Sequence, residues 1–184
     1  ETEMKGKLIV VSGPSGAGKS TVTKIVRDNL NIPLTVSATT RKPRKEEIDG
    51  KDYYFLTTEE FLNKVNNDEF FEWAKVHDNY YGTLKLEVDN KRQHGSTVLL
   101  EIDVQGGLIV KEKDPSAILV FMKAPNEREL EERLKNRDTD SEEIIEKRLK
   151  NALKELEYEK NYDYSIINDN LDKSYQELVE IIKS

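Results

Sequence analysis

The stretch "KLIVVSGPSGAGKST", residues 7–21, decides the fold. "KLIVVSG" is short, β-branched and closed by a glycine, the pattern of a buried strand. From Lys19 to Leu30 the apolar residues Val22, Ile25, Val26 and Leu30 recur at helical spacing. Between strand and helix, "GPSGAGKS" (13–20) matches G-x-x-x-x-G-K-S/T without a mismatch. Gly13, Gly16 and Gly18 let the backbone curl so that its N–H groups point at phosphate oxygens, and the helix N-terminus adds its positive end. Lys19 is placed to reach the β- and γ-phosphates, and the Ser20 hydroxyl to ligand Mg²⁺. The reading is a nucleoside triphosphate site spanning Gly13, Pro14, Ser15, Gly16, Ala17, Gly18, Lys19, Ser20 and Thr21, with Mg²⁺ accompanying ATP.

Outward from this turn, strands and helices alternate. "TVLLEID" reads as a strand followed by a helix from about Gly106. "AILVFMK" precedes a helix from Glu127, a charged helix spans about Ser141 to Glu159, and "YSIIN" is the last strand before "LDKSYQELVEIIK". Strands separated by helices predict an α/β fold, a parallel sheet flanked by helices of the P-loop NTPase type. From about Thr39 to Arg92 the alternation breaks. There "DYYFL", the helix "TEEFLNKVNN" and "EFFEWAKV" form a small β-α-β-like block, with a short helix from Leu84 to Gln93. The expected organisation is one domain over 1–184. Its core is 1–38 and 84–184, with a helical lid over about 126–150 and an inserted mixed α/β subdomain over 39–83. "LTVSA" after Pro33 is the core's second strand in this reading.

Composition narrows the function. The 184 residues include no cysteine, which excludes disulfides and thiolate zinc sites and points to a reducing cytoplasm. The net charge of −7 argues against nucleic acid, and no apolar run approaches the ~18 residues of a membrane span. No basic region followed by an apolar one opens the chain, so no signal peptide is expected. His77 and His94 are isolated and read as surface residues. The polar loop "TTRKPRKEEIDGKDYYF" places Arg41 and Arg44 around Pro43, where two guanidiniums can grip one phosphate, with Tyr53 and Tyr81 as hydroxyl donors. A solvated basic surface is the other reading of that loop. In "FEWAKVHDNYYGT" (71–83), Glu72 either faces water from a strand or faces a pocket, where a ligand must donate to it. Arg133 and Arg137 share a helix face; an ion pair with Glu129, Glu131 or Glu132 is the plainer role for them.

With "GPSGAGKST", "VSATTRKPR", "DGKDYYF", "FFEWAKV", "NYYGT", "LEIDVQG", "ERLKNRDTD" and "INDNL" in this order, the chain resembles the guanylate kinases from about Lys7 to the C-terminus. The resemblance implies transfer of the ATP γ-phosphoryl to GMP, with Mg²⁺, and makes the insertion the GMP-binding subdomain. Ser37, Glu72 and Thr83 would contact guanine, and Arg41, Arg44, Tyr53 and Tyr81 the GMP phosphate. Arg133, Arg137 and Arg148 would come from the lid onto the ATP phosphates. Asp103 would lie near metal and GMP, reaching the metal through water. Asn168 would contact adenine, with Asp169 beside it. Catalysis would fall to Lys19, Arg44, Arg137 and Arg148. The lid departs from the family pattern at Asn136-Arg137-Asp138, where glycines are common; fewer glycines stiffen a hinge, and Asp138 adds negative charge. Thr83 replaces a serine and keeps the hydroxyl. The resemblance leaves two rivals, a guanylate-kinase-like protein-binding module and a phosphokinase acting on a ribose bisphosphate. It implies ATP and GMP as the partners, no nucleic acid or membrane, and a monomer or small homo-oligomer.

Overall fold

The computed structural model describes residues 5–76, 78–135 and 141–184. Strand β1 (Leu8–Ser12) is buried at all five residues and is paired in parallel with β6 (Val98–Glu101) on one side and β7 (Ile118–Lys123) on the other. Strand β8 (Tyr164–Ile167) adds to β7, giving a parallel sheet of order β6-β1-β7-β8. A strand enclosed on both edges and both faces must be apolar throughout, which is why "LIVV" shows no alternation. Its side chains still divide by parity. Ile9 and Val11 pack with Val22 and Val26 of α1 (Lys19–Leu30) and Leu178 of α7 (Leu171–Lys183). Leu8 and Val10 pack with Val88 of α3 (Lys85–Gln93) and Val110 of α4 (Val104–Lys113).

The second sheet has the order β3-β2-β5-β4 and is mixed. Strand β2 (Ser37–Thr39) runs parallel to β3 (Tyr53–Phe55) and antiparallel to β5 (Asn79–Leu84), which forms a hairpin with β4 (Phe70–Val76). It has its own core. Phe61, on α2 (Thr58–Asn66), is fully buried and stacks on Phe70 at 4.4 Å and on Tyr80 at 5.3 Å. Thr57 and Glu60 close a reciprocal cap on α2. Helices α5 (Glu127–Lys135) and α6 (Glu142–Glu155) meet through Leu130, Leu134, Leu149 and Ala152, and a 3₁₀ segment, Leu156–Asn161, continues from α6. Among the described residues no helix is long and apolar enough to cross a membrane.

Four features correct or refine the sequence reading. Of "LTVSA", only Ser37 onward is strand, and it joins the second sheet, so the boundary expected after residue 38 falls inside β2. The β3-α2-β4 block is a split β-α-β unit: β3 and β4 run parallel in one sheet but lie at its opposite edges, with β2 and β5 between them. Strand β5 escapes a propensity reading because Gly82 interrupts it. The glycine is required there, since a Cβ would lie 2.7 Å from the Phe70 ring. Helix α4 begins at Val104 rather than Gly106, because Asp103 accepts hydrogen bonds from the Gln105 and Gly106 N–H groups and caps it.

Phe61 belongs to the second core, packed with Ala38 and Phe70. Phe61→Ala is expected to cost about 3–5 kcal/mol of stability, read by urea denaturation. A loss below ~1 kcal/mol would mean that this small core does not hold the second sheet together.

Candidate active site

The turn after β1 opens on a cavity of about 370 Å³ whose wall includes Ser15, Gly16, Gly18, Lys19, Ser20 and Thr21. Two of its glycines are dictated by close approach. A Cβ on Gly13 would lie 2.0 Å from the Met122 carbonyl oxygen, and one on Gly18 would lie 2.4 Å from Asn168 Nδ2. Gly18 is also left-handed, at φ 82°. The Ala17 N–H donates to the Pro14 carbonyl at 3.2 Å, and the Lys19 ammonium donates back to the Gly13 carbonyl. Ser20 Oγ donates to Glu101 Oε1 at 2.7 Å, and Asp103 shares the same cavity wall. Glu155, at the end of α6, closes the far side, and its carboxyl is raised by burial.

The turn is tied from behind. Asn168 is buried, donates through Nδ2 to the Ala17 carbonyl at 2.7 Å and accepts from Ser174 Oγ at 2.8 Å. Both ends of the amide expected to face adenine are thus engaged inside the protein; Asp169 beside it is exposed. Arg133 donates to the Asn168 carbonyl at 2.8 Å and to the Gly16 carbonyl at 3.4 Å, and it pairs with Glu129 at 3.3 Å. The plainer ion-pair role read for it is therefore also present. Arg148 stands exposed on α6, and Arg137 lies outside the described residues.

A second cavity, about 450 Å³, lies between the mixed sheet and the start of α4. Ser37, Tyr53, Glu72, Tyr81, Thr83 and Asp103 all line it; Arg41 and Arg44, read with them from the sequence, are not among its lining residues. Glu72 is 7% exposed and sits opposite Thr83 in the β4–β5 hairpin, whose hydroxyl donates to Oε1 at 2.9 Å. Its Oε2 lies 3.1 Å from where a Cβ on Gly106 would be. The carboxyl is pushed up to about 7. Burial is the main cause and the Asp103 charge adds to it, while the Thr83 bond and Lys113 oppose it. Glu72 faces a pocket.

A model of the guanylate kinase family matches residues 5–184. The chain belongs to the guanylate kinase family. It is 59% identical over 179 residues to the guanylate kinase of Fusobacterium nucleatum, covering 97% of each chain. It is 48% identical over 179 residues to that of Caldanaerobacter subterraneus, covering 97% of this chain and 87% of the other. The crystal structure of guanylate kinase from Anaplasma phagocytophilum superposes with a TM-score of 0.77 at 32% identity, over 98% of this chain and 86% of that one.

Two residues of this family member escaped the sequence reading. Glu101 lines both cavities and holds Ser20; the only sequence signal was a carboxylate at the C-terminal end of a strand ending beside the phosphate turn. Glu47 receives the Arg41 guanidinium through two bonds of 2.9 Å and the Arg44 backbone N–H at 2.8 Å. These contacts hold its carboxyl down to about 2 and raise Arg41. Arg41 also sits 5.4 Å from the Tyr53 ring centre. The loop read as either phosphate grip or solvated surface is thus folded around one internal carboxylate.

The Glu72 shift predicts a pH effect. Burial raises its carboxyl from 4.5 to about 7, so across that interval the native state keeps a proton that the unfolded chain has released. Stability from this source is full below the lower value and is lost as pH rises through the upper one. Glu72→Gln should remove the drift, so the variant should gain on the parent by up to about 3 kcal/mol between about pH 4.5 and pH 8. Denaturation across that range reads it, and parallel profiles would count against a proton on buried Glu72.

Proposed function

We propose that the chain transfers the γ-phosphoryl group of ATP to GMP, giving ADP and GDP, at the junction of the two cavities. The observation that carries this reading is the buried Glu72 carboxylate with the Thr83 hydroxyl beside it. Guanine presents N1–H and the N2 amine side by side, and a carboxylate accepts from both. Adenine offers an unprotonated N1 and no N2 amine, and it would leave a desolvated carboxylate unmatched. A ribose bisphosphate has no base to meet it, and a peptide-binding module has no use for Lys19 and Ser20.

The nucleophile is a phosphate oxygen of GMP, already anionic, so no general base is required. It bonds to the γ-phosphorus as the bond to the departing ADP oxygen breaks, and the electron pair leaves on ADP. Lys19 and the N–H groups of the turn hold the ATP phosphates, while Arg41, Arg44, Tyr53 and Tyr81 orient the GMP phosphate. The lid cations, Arg148 and Arg137 among them, meet charge spreading over the transferred group, while Arg133 holds the turn through the Gly16 and Asn168 carbonyls. Ser20, Glu101 and Asp103 offer an all-oxygen donor set that suits Mg²⁺, which when bound with ATP offsets charge on its phosphates. On this reading ATP and GMP are the partners, not nucleic acid or a membrane. The protein works as a monomer or small homo-oligomer in the cytoplasm, as its acidic, cysteine-free composition fits.

A coupled assay offering GMP, AMP and a ribose bisphosphate tests the reading, with rapid turnover expected for GMP alone. Glu72→Gln replaces one acceptor by a donor facing a guanine N–H, so kcat/KM for GMP should fall by about 10- to 100-fold. AMP should lose less, because its N1 can accept from the amide. An unchanged GMP/AMP ratio would remove Glu72 from base recognition.

A further inference from the structure

Tyr162 is not among the residues lining either cavity, yet it touches α4, whose N-cap residue Asp103 lines both. It follows the 3₁₀ segment continuing from lid helix α6, and its ring meets the Phe121 ring edge-on at 5.4 Å. Its hydroxyl donates to the carbonyl of Val104, the first residue of α4, at 2.9 Å. The adjoining carbonyl, of Asp103, accepts from Ser12 Oγ at 3.3 Å. Gln105 Nε2 reaches the Tyr158 hydroxyl of the same 3₁₀ segment at 3.5 Å. The fit leaves no room, since a Cβ on Gly107 would lie 2.3 Å from the Tyr162 hydroxyl oxygen and 3.2 Å from Ser12 Oγ. Burial pushes the Tyr162 hydroxyl up to about 12, so it stays a donor at any working pH.

What this first turn carries explains why its placement matters. Asp103 caps it, accepting from Gly106 N at 3.2 Å and Gln105 N at 3.3 Å, and Glu72 Oε2 packs against Gly106. Two of the carboxylates that line the second cavity, Asp103 and Glu72, therefore meet at one turn of helix. That turn is held from outside by a hydroxyl at the base of the lid. We infer that Tyr162 is a positioning residue for nucleotide recognition: its bond to Val104 fixes the first turn of α4 and with it the placement of Asp103 and Glu72. The inference rests on the reading that the second cavity receives GMP.

Tyr162→Phe keeps the ring against Phe121 and deletes only the hydroxyl. KM for GMP is expected to rise about 3- to 10-fold, the size of one lost hydrogen bond, with KM for ATP within about twofold of the parent. Calorimetric GMP affinity, measured without ATP or metal, should fall by the same factor. Ser12→Ala, which removes the second hold on the same turn, should move GMP affinity in the same direction. A lowered Tm with GMP affinity unchanged in Tyr162→Phe would make Tyr162 a packing residue and overturn the inference. If Tyr162→Phe fails to fold, unchanged GMP affinity in Ser12→Ala overturns it. A parent protein with no affinity for GMP would instead overturn the substrate reading, and this inference with it.

Discussion

Parallel pairing of β1 with β6 and β7 is the constraint from which the site follows. Parallel strands end on the same edge, so the phosphate turn after β1, Glu101 and Asp103 after β6, and Asn168 after β8 meet although the sequence separates them widely. Among the hydrogen bonds that bind this edge together, Ser20 to Glu101 and Asn168 to the Ala17 carbonyl are both 2.7 Å. Shifting β6 by one residue would exchange Glu101 for a neighbour of opposite facing and uncouple the turn from its acidic partner.

The site receives two polyanions, yet carboxylates line it: Glu72, Glu101, Asp103 and Glu155. The first three each have a physical reason to be tolerated. Glu101 and Asp103 are held by hydroxyl and N–H donors and supply the hard oxygens that a divalent cation needs. Glu72 is buried, and burial raises its carboxyl to about 7, which lowers the cost of holding it beside Asp103.

The core was legible because its signals are local. "KLIVVSGPSGAGKST" states strand, turn and helix in unbroken order, and α1 falls where the spacing of Val22, Val26 and Leu30 puts it. Convergence of Ser37, Glu72, Tyr81 and Thr83 was legible only through resemblance, because nothing in their spacing says that β2 and β4 flank β5. The second sheet was the least legible part. Its strands are short, one carries a glycine whose role appears only against Phe70, and β2 reads equally well as a core strand. Glu47 and Glu101 were hidden for a related reason: each is an ordinary acid in sequence, distinguished only by the cation or hydroxyl that the fold brings to it.

Those pairings bear on how the site binds. In the structure Arg41 is forked onto Glu47, Arg133 onto Glu129 and two backbone carbonyls, and Ser20 onto Glu101. On the proposed reading, a phosphate arriving at Arg41 would share or exchange a partner and would not meet a solvated cation. The net gain in ground-state binding from such an exchange is small, because a good ion pair is given up for another. The geometric gain is large, because a guanidinium already held by Glu47 and set against Tyr53 loses little freedom when the phosphate docks. Such a pre-set contact would accelerate transfer, and not merely retain substrate, only in so far as it strengthens while the γ-phosphoryl moves.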